Sequence, residues 1–324
     1  MVDRQVGQPS VIDELMPAPR ESMLDRLAAV LDWHPIQTLL GTRGQGPGAP
    51  GYPNLVLLRA LLLGVWHDLS DPALEAAIAD RLSFRRFCGL SLTDAVPDHS
   101  TLWRFRAALA EEGRIDQVFA EITRQLEAKG LILKQGTLID ASLLPARAAP
   151  PRKPDRAGAP TPPKPAADKD ARWGRKGRKS VFGYKLHIGV DQSHTLIRRI
   201  EVTDASVTDT EPADHLICGD EAAVYGDQAY YTHARHARLE AAGIKDRLMR
   251  RPNKHHPELP KRHKQRNRLI GKVRAAVERP FAVLKERYGL RRMRFFSLAR
   301  NRVQVVLGCC AYNLRRAVSV LCVA

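Results

Sequence analysis

VRAAVERPFAVLKERY, residues 273–288, is the stretch from which the fold of this chain can be worked out. Arg274, Glu278 and Lys285 follow one another at intervals of four and seven residues, and an α-helix returns to nearly the same face at those spacings. A second stripe at helical spacing is apolar and consists of Val277, Phe281, Leu284 and Tyr288. The pattern predicts a helix that packs one face on a core and presents a glutamate between two cations on the next.

Helical ion pairs on a solvated face would produce the same charge pattern, and two further stretches argue against that alternative. TLIDASLL, residues 137–144, and AAVYGDQAYY, residues 222–231, read as buried strands that carry Asp140 and Asp227. A lone carboxylate in a buried strand is costly unless it is paired or binds a metal. Together with Glu278, the two aspartates form a carboxylate set suited to Mg²⁺.

Charge and composition restrict the class of partner. The 324 residues carry a formal net charge of +17, which indicates a polyanionic partner, either nucleic acid or an anionic membrane. The sequence has no apolar run of membrane-spanning length, no signal-peptide pattern and no basic amphipathic anchor. The five cysteines form no CxxC pair, which favours buried thiols in a reducing compartment. We therefore expect a cytoplasmic, nucleoid-associated protein that binds nucleic acid and no membrane.

Residues 1–130 are predicted to form an all-helical domain. SDPALEAAIADRL, residues 70–82, and PDHSTLWRFRAAL, residues 97–109, read as helices with N-caps at Ser70 or Asp71 and at Ser100, with a basic turn at residues 83–86 between them. The apolar stripe of the second helix leaves Arg104 and Arg106 outside. Two capped helices with a basic outer face are typical of a helix-turn-helix that binds DNA, although any helical bundle contains such pairs.

Strand patterns begin at residue 131. Residues 183–191 and 195–203 read as a hairpin, with His187 as an ordinary strand residue. Between the strand of Asp140 and this hairpin, residues 146–180 are basic and rich in proline, which predicts a flexible insertion that is either a passive linker or a segment that folds over a phosphate backbone. Trp173 is the one residue there that a passive linker does not need.

The order from residue 131 onward is strand, strand, strand, helix, strand, helix, strand, helix. This order predicts an α+β or α/β domain over residues 131–324 with a mixed five-stranded sheet, in a ribonuclease H-like layout. The first and fourth strands are neighbours in that layout, so Asp140 and Asp227 should converge although they are far apart in sequence. Pro280 lacks the amide hydrogen that a helix interior needs, which predicts a kink or a restart of the helix that carries Glu278.

Four motifs in this order, IDASLL, FGYKLHIGVD, VYGDQAYY and RAAVERPFAVLK, resemble those of the DDE transposases of bacterial insertion sequences, in the IS-five group of the wider IS-four superfamily. The helical part before them is similar to the N-terminal domain of that group. The resemblance covers roughly residues 50–315. It implies a helical DNA-binding domain followed by a ribonuclease H-like DDE catalytic domain. Gly271 departs from the family pattern, which has a tyrosine near the DNA backbone at this position.

The resemblance also implies an activity and a set of roles. Asp140, Asp227 and Glu278 would be catalytic and would hold two Mg²⁺ ions, with Mn²⁺ as a substitute. Arg274 and Lys285 would contact phosphates beside the cleaved bond, in double-stranded DNA at the transposon ends and in the target. Joining two ends implies a homo-oligomer. Two alternatives stay open, which are a nuclease of the same fold that only hydrolyses DNA and a DNA-binding protein without catalysis.

Overall fold

The computed structural model describes residues 4–9, 11, 13, 21–42, 50–148, 167–177, 179–252 and 257–322. The chain divides into two compact units. The first consists of Met1–Leu131, Arg287–Gly289 and Val306–Ala324, and the second of Ile132–Glu286 and Leu290–Val305. In the described part of the chain, no helix has the length and apolar character needed to cross a membrane.

The first unit is helical. Its helices are α1 (Met23–Ala29), α2 (His34–Leu40), α3 (Asn54–Trp66), α4 (Asp71–Asp80), α5 (Leu82–Cys88), α6 (His99–Glu112) and α7 (Arg114–Ala128). Helix α3 is apolar around most of its circumference, which is typical of a central buried helix, and nine of its residues are buried. The indole of Trp66 at its end donates a hydrogen bond of 3.0 Å to the Ala311 carbonyl.

Two local predictions in this unit are wrong. Residues 83–86 lie in helix α5, because Arg85 turns inward and donates to the carbonyl oxygens of Ser91, Leu92 and Asp94 instead of facing solvent in a turn. The N-cap of α6 is Asp98 rather than Ser100. The Asp98 carboxylate accepts the Thr101 amide at 2.6 Å, and its negative charge also suits the positive end of the helix dipole.

The second unit contains a six-stranded mixed sheet with helices. The strands are β1 (Thr137–Pro145), β2 (Arg172–Lys176), β3 (Lys179–Asp191), β4 (Ile197–Asp204), β5 (Ala223–Gly226) and β6 (Lys245–Leu248). The helices are α8 (His233–Ala241), α9 (Lys261–Arg274), α10 (Glu278–Arg287) and α11 (Leu298–Leu321), the last of which contributes residues to both units. Short 3₁₀ turns lie at Pro212–Leu216 and Ala275–Val277.

The sheet has the predicted ribonuclease H-like order. The hairpin of β3 and β4 lies on one side of β1, with β3 antiparallel to β1, and β5 and β6 follow in parallel on the other side. β1 is therefore central, and β5, the fourth strand of the predicted order, pairs with it directly. A core beneath these strands includes Ile139, Val224 and Tyr230.

The five-stranded expectation is wrong because β2 adds a sixth strand inside the segment predicted to be flexible. β2 pairs with residues 179–183 of β3 on the edge away from β1. Two acids ahead of it make long-range contacts, since buried Asp168 accepts the Tyr184 hydroxyl at 2.7 Å and Asp170 accepts the Leu298 amide at 2.8 Å. Trp173 packs edge-on against Phe182. Residues 149–166 of the same predicted insertion lie outside the described residues.

His187 on β3 generates a test of stability against pH. Its side chain is buried beside the Thr203 hydroxyl, and burial is the main cause that lowers the pKa of His187 to about 4 from its usual 6.5. The unfolded chain therefore takes up this proton at a higher pH than the folded chain does. Its contribution to stability is complete above pH 6.5 and is lost as the pH falls towards 4.

We predict that the free energy of unfolding, measured with urea, falls by up to about 3 kcal/mol between pH 6.5 and 4 because of this one group. His187→Gln places an uncharged polar side chain beside Thr203 and should remove most of that decrease. An equally steep decrease in the variant would contradict the assignment.

Candidate active site

Asp140, in the first half of β1, and Asp227, directly after β5, lie level with each other on two neighbouring parallel strands. The register of β1 with β5 pairs Thr137 with Val224 and Leu138 with Tyr225, and continuing it brings Asp140 level with Asp227, directly after Gly226. Gly226 allows this close approach, because a Cβ atom there would lie 3.1 Å from Cγ1 of Ile139. Neighbouring strands are about 4.8 Å apart, so the two carboxylates share one small region.

The carboxylate of Asp140 is nearly buried and is paired with Arg274. One oxygen accepts the Ala141 amide at 2.9 Å, and the other accepts Nη1 of Arg274 at 3.0 Å. Asp140 is 9% exposed as a residue, so removing this cation without a replacement would leave a charge in a poorly solvated position. Arg274 is the last residue of α9, and the ion pair therefore fixes the end of that helix over β1.

Glu278 begins a new helix rather than continuing the one before it. Residues 273–288 were predicted to be one helix with a kink or restart, and the structure has α9 to Arg274, the 3₁₀ turn, and α10 from Glu278. Pro280 explains the restart, because it has no amide hydrogen for the Ala276 carbonyl and is tolerated in a first turn. The 3₁₀ turn packs against β1 with Val277 fully buried, and Glu278 follows it with an exposed side chain.

Lys285 contacts the same strand as Arg274. Its ammonium group donates to the Ser142 hydroxyl at 2.6 Å and to the Leu143 carbonyl at 3.1 Å. Asp140 and Ser142 are two residues apart and thus face the same side of the sheet. Both cations of the Arg-Glu-Lys motif therefore lie over the face of β1 that carries Asp140.

The sequence did not identify two further groups near the acids, Tyr230 and Asp209. Tyr230 is completely buried, and its hydroxyl has no hydrogen-bond partner among the described residues. Burial, followed by the negative charges of Asp140, Asp209 and Asp227, raises the pKa of Tyr230. Asp209 accepts the Lys185 ammonium at 2.8 Å. The motif VYGDQAYY contains Tyr230, but only the fold shows that its hydroxyl faces the carboxylates, and no pattern distinguishes Asp209.

These residues suit a divalent cation with a preference for oxygen ligands. The ligand atoms of Asp140, Asp227 and Glu278 do not all lie within 4.8 Å of one another, so they are too dispersed to surround one ion in this arrangement. More than one ion would be needed to engage all three carboxylates in this arrangement. The buried Tyr230 hydroxyl beside the acids has no hydrogen-bond partner among the described residues, so a polar group is missing next to it.

A second acidic cluster, at Cys218, Asp220 and Glu221, fits a metal less well. Its ligand atoms lie within 4.8 Å of one another, but Arg198 and Lys134 already pair with Asp220 at 2.6 and 2.8 Å. Burial raises the pKa of the Cys218 thiol, which disfavours the thiolate that a metal requires. The contacts of this cluster are those of a structural ion-pair network.

The two arginines predicted on the outer face of the N-terminal helices have different environments. Arg104 is exposed and donates to Ser100 and Thr101 one turn earlier in its own helix. Arg106 is not on the outer face, and that prediction is wrong. Its side chain is only 12% exposed, and its guanidinium forms two hydrogen bonds of 2.8 Å with Asp71, which tie α6 to the first turn of α4.

Gly271, where the family pattern has a tyrosine, lies on α9 beside Met249. A Cβ atom on Gly271 would come within 3.2 Å of Cε of Met249. The methionine therefore occupies the space that a larger side chain would need, so a tyrosine at this position would require Met249 to move.

We predict opposite effects of Tyr230→Phe with and without divalent cations. Without them, the free energy of unfolding should rise by about 1 kcal/mol, because a buried hydroxyl with no partner is removed. With Mg²⁺ or Mn²⁺, the thermal stabilisation produced by the ion should be smaller than in the parent, because only the parental hydroxyl, which has no partner without the ion, can gain a hydrogen bond to a water that the ion holds. Tyr231→Phe is the matched control and should leave the ion effect unchanged. An unchanged ion effect in Tyr230→Phe would contradict the role assigned to its hydroxyl.

Comparisons with known proteins match two regions of the chain to protein families. Residues 132–314, more than half of the chain, match the family described as "Transposase DDE domain", and residues 11–108 match "Transposase domain (DUF772)". No solved structure matches the chain. DDE transposases bind DNA and use divalent metal ions to cut and join it. The sheet places Asp140 level with Asp227, and the matched family region spans this sheet. This chain therefore belongs to the DDE transposases of the IS-four-superfamily type.

Proposed function

We propose that this transposase cuts and joins DNA at the inverted-repeat ends of an insertion sequence of the IS-five group, with Asp140, Asp227 and Glu278 as its catalytic residues. The main support is the position of Asp140 on β1 level with Asp227, which follows β5 directly. Glu278 starts the helix after the turn that packs on β1. The three acids come from positions 87 and 51 residues apart in the sequence.

The same acids are proposed to hold two Mg²⁺ ions, with Mn²⁺ as a substitute. Asp140, Asp227 and Glu278 would hold the ions through their carboxylate oxygens. When bound, the ions supply activation of the attacking oxygen and stabilisation of the leaving oxygen in an in-line displacement at phosphorus. The rest of the catalytic arrangement comes from groups of the chain itself.

Arg274 has two roles in this proposal. Without a cation it neutralises Asp140 at 3.0 Å. If Asp140 held a divalent cation, the ion would take over that neutralisation, and the guanidinium would be available to donate to a phosphate oxygen next to the cleaved bond. Lys285 contacts Ser142 and Leu143, two and three residues after Asp140 on β1. It is proposed to orient the same DNA backbone from that position.

The N-terminal helical domain, residues 1–130, is proposed to recognise the element's ends, and the catalytic domain, residues 131–324, to bind DNA with less sequence selectivity. Exposed Arg104 is the candidate contact in the first domain. Arg106 is not proposed as a DNA contact, because Asp71 pairs with its guanidinium. Holding two ends together for joining requires a homo-oligomer, and the enzyme would act in the cytoplasm on nucleoid DNA.

A nuclease of the same fold that only hydrolyses DNA is the alternative that shares these acids. An assay with a pre-cut, labelled element end and a supercoiled target plasmid separates the two. The proposed transposase joins the labelled end to the plasmid in the presence of Mg²⁺ or Mn²⁺. Divalent-dependent nicking with no joined product would favour the nuclease, and neither product would favour a DNA-binding protein without catalysis.

We predict that Glu278→Gln separates DNA binding from chemistry. Gln keeps the size of the side chain and one oxygen but loses the charge that holds a divalent ion, so single-turnover end cleavage should fall by at least about a hundredfold. DNA affinity should stay the same or rise slightly, because Lys and Arg contacts to phosphate supply most of it.

Glu286→Gln is the matched control on the same helix. Glu286 is exposed and pairs with Arg291, so its substitution should leave cleavage unchanged. Cleavage by Glu278→Gln at the parental rate would remove Glu278 from the catalytic set.

A further inference from the structure

Helix α9, Lys261–Arg274, has an unusual charge composition. Its sequence KRHKQRNRLIGKVR contains seven lysines and arginines, one histidine and no acid. A solvated helix normally mixes both signs, because opposite charges at helical spacing stabilise it and like charges destabilise it. The composition of α9 therefore needs a separate explanation.

The inward face of α9 uses its charged and polar groups for structural contacts. Arg266 donates to the Leu248 and Asp246 carbonyls at 2.8 and 2.7 Å, and Asn267 exchanges hydrogen bonds with the backbone of Arg250. Ile270 is buried, and Arg274 reaches Asp140. These contacts hold α9 in one orientation against the sheet.

The outward face carries a row of cations, which we name the α9 stripe. Its members are exposed and follow one another at intervals of three, four and four residues, and they are Lys261, Lys264, Arg268 and Lys272. Nζ of Lys264 lies 3.5 Å from Oε2 of Glu258, and both of these side chains are largely exposed. Within the described residues, neither Arg268 nor Lys272 has an acidic partner within ion-pair distance.

The α9 stripe destabilises its own helix. The helix begins at Pro260 without a side-chain cap and has no acid in its first turn, so Lys261 lies at the positive end of the dipole without compensation. Lys264 with Arg268, and Arg268 with Lys272, are like charges at a spacing of four residues. A bound polyanion would offset these repulsions, because each cation would gain an attraction to a phosphate.

The dimensions of the α9 stripe fit the backbone of DNA. At a rise of about 1.5 Å per residue, the eleven steps from Lys261 to Lys272 span about 17 Å. One strand of a duplex presents a phosphate about every 3.4 Å along the helix axis, so about five phosphates of one strand fall within that axial length. The four cations of the α9 stripe are therefore close in number to the phosphates of one DNA strand over the same length.

We propose that the α9 stripe binds the phosphate backbone of duplex DNA next to the bond that is cut. This proposal rests on the proposed function, since it assigns a path for the DNA of that same site. The position of α9 supports it, because the helix ends at Arg274, which contacts Asp140, and Glu278 follows four residues later. DNA held along the stripe is thereby led towards the carboxylates.

The test compares two charge-matched double variants of the full-length chain. Arg268→Gln/Lys272→Gln removes two cations of the α9 stripe. Arg199→Gln/Lys245→Gln removes one arginine and one lysine, both exposed. Lys245 is the first residue of β6 and pairs with Ala223, at the end of β5 away from Asp227, and Arg199 is on β4, on the far side of β3 from β1. Affinity for a 40-base-pair duplex is measured by fluorescence anisotropy between 50 and 200 mM KCl, without divalent ions.

Each phosphate contact contributes about 0.9 to the slope of log affinity against log salt concentration, so the stripe variant should lose about 1.8 from that slope. Over this salt range the parent's affinity should fall about tenfold more than the variant's. The control should keep the parental slope. A parental slope in the stripe variant, or an equal loss in both variants, would overturn the proposal.

Thermal unfolding without DNA gives an independent readout. The stripe variant should melt at the same temperature as the parent or higher, because a like-charge repulsion is removed, which excludes misfolding as the cause of weaker binding. Adding the duplex should raise the melting temperature of the parent more than that of the variant. Since neither measurement involves cleavage or joining, a failure of the proposed reaction and a failure of the α9 stripe are separately visible.

Discussion

The structure of the catalytic unit depends on the ion pair between Asp140 and Arg274. A carboxylate on the central strand of a sheet is costly to bury, and the guanidinium 3.0 Å away compensates for that cost. The same contact fixes the end of α9, so the 3₁₀ turn and the start of α10 are also fixed over β1. Because Glu278 is the first residue of α10, the pair that stabilises Asp140 also determines where the third acid lies.

The acids give the site a negative charge, whereas the rest of the chain is strongly positive, and this distribution suits a reaction on DNA. Asp140, Asp209 and Asp227 concentrate negative charge around the buried hydroxyl of Tyr230, whereas the whole chain carries a net charge of +17. The acids would repel a phosphate backbone unless a divalent cation lies between them and the DNA, and Arg274, Lys285 and the α9 stripe would attract it. In the proposed function, affinity for DNA and competence for chemistry would therefore come from different residues.

The sequence predicted those features that depend on local periodicity and not those that depend on distant partners. Buried strands with one acid each, and a helix with a fixed spacing of Arg274, Glu278 and Lys285, were sufficient to predict the sheet order and the adjacency of Asp140 and Asp227. β2 was missed because its order comes from Asp168 and Asp170, which find partners at Tyr184 and Leu298. Helical spacing placed Arg106 correctly on its helix but could not reveal its partner Asp71 on another helix. Tyr230 and Asp209 come close to the site only when the chain folds.

Iron-directed cleavage of the protein measures directly whether Asp140, Asp227 and Glu278 together bind divalent cations. Fe²⁺ substitutes for Mg²⁺ at oxygen-rich sites, and with peroxide it breaks the backbone near the bound ion. We expect three sets of fragments, ending near residues 140, 227 and 278, that excess Mg²⁺ suppresses and that Asp227→Asn reduces together. Fragments confined to the region of Cys218, Asp220 and Glu221, or fragments unaffected by Mg²⁺, would contradict it.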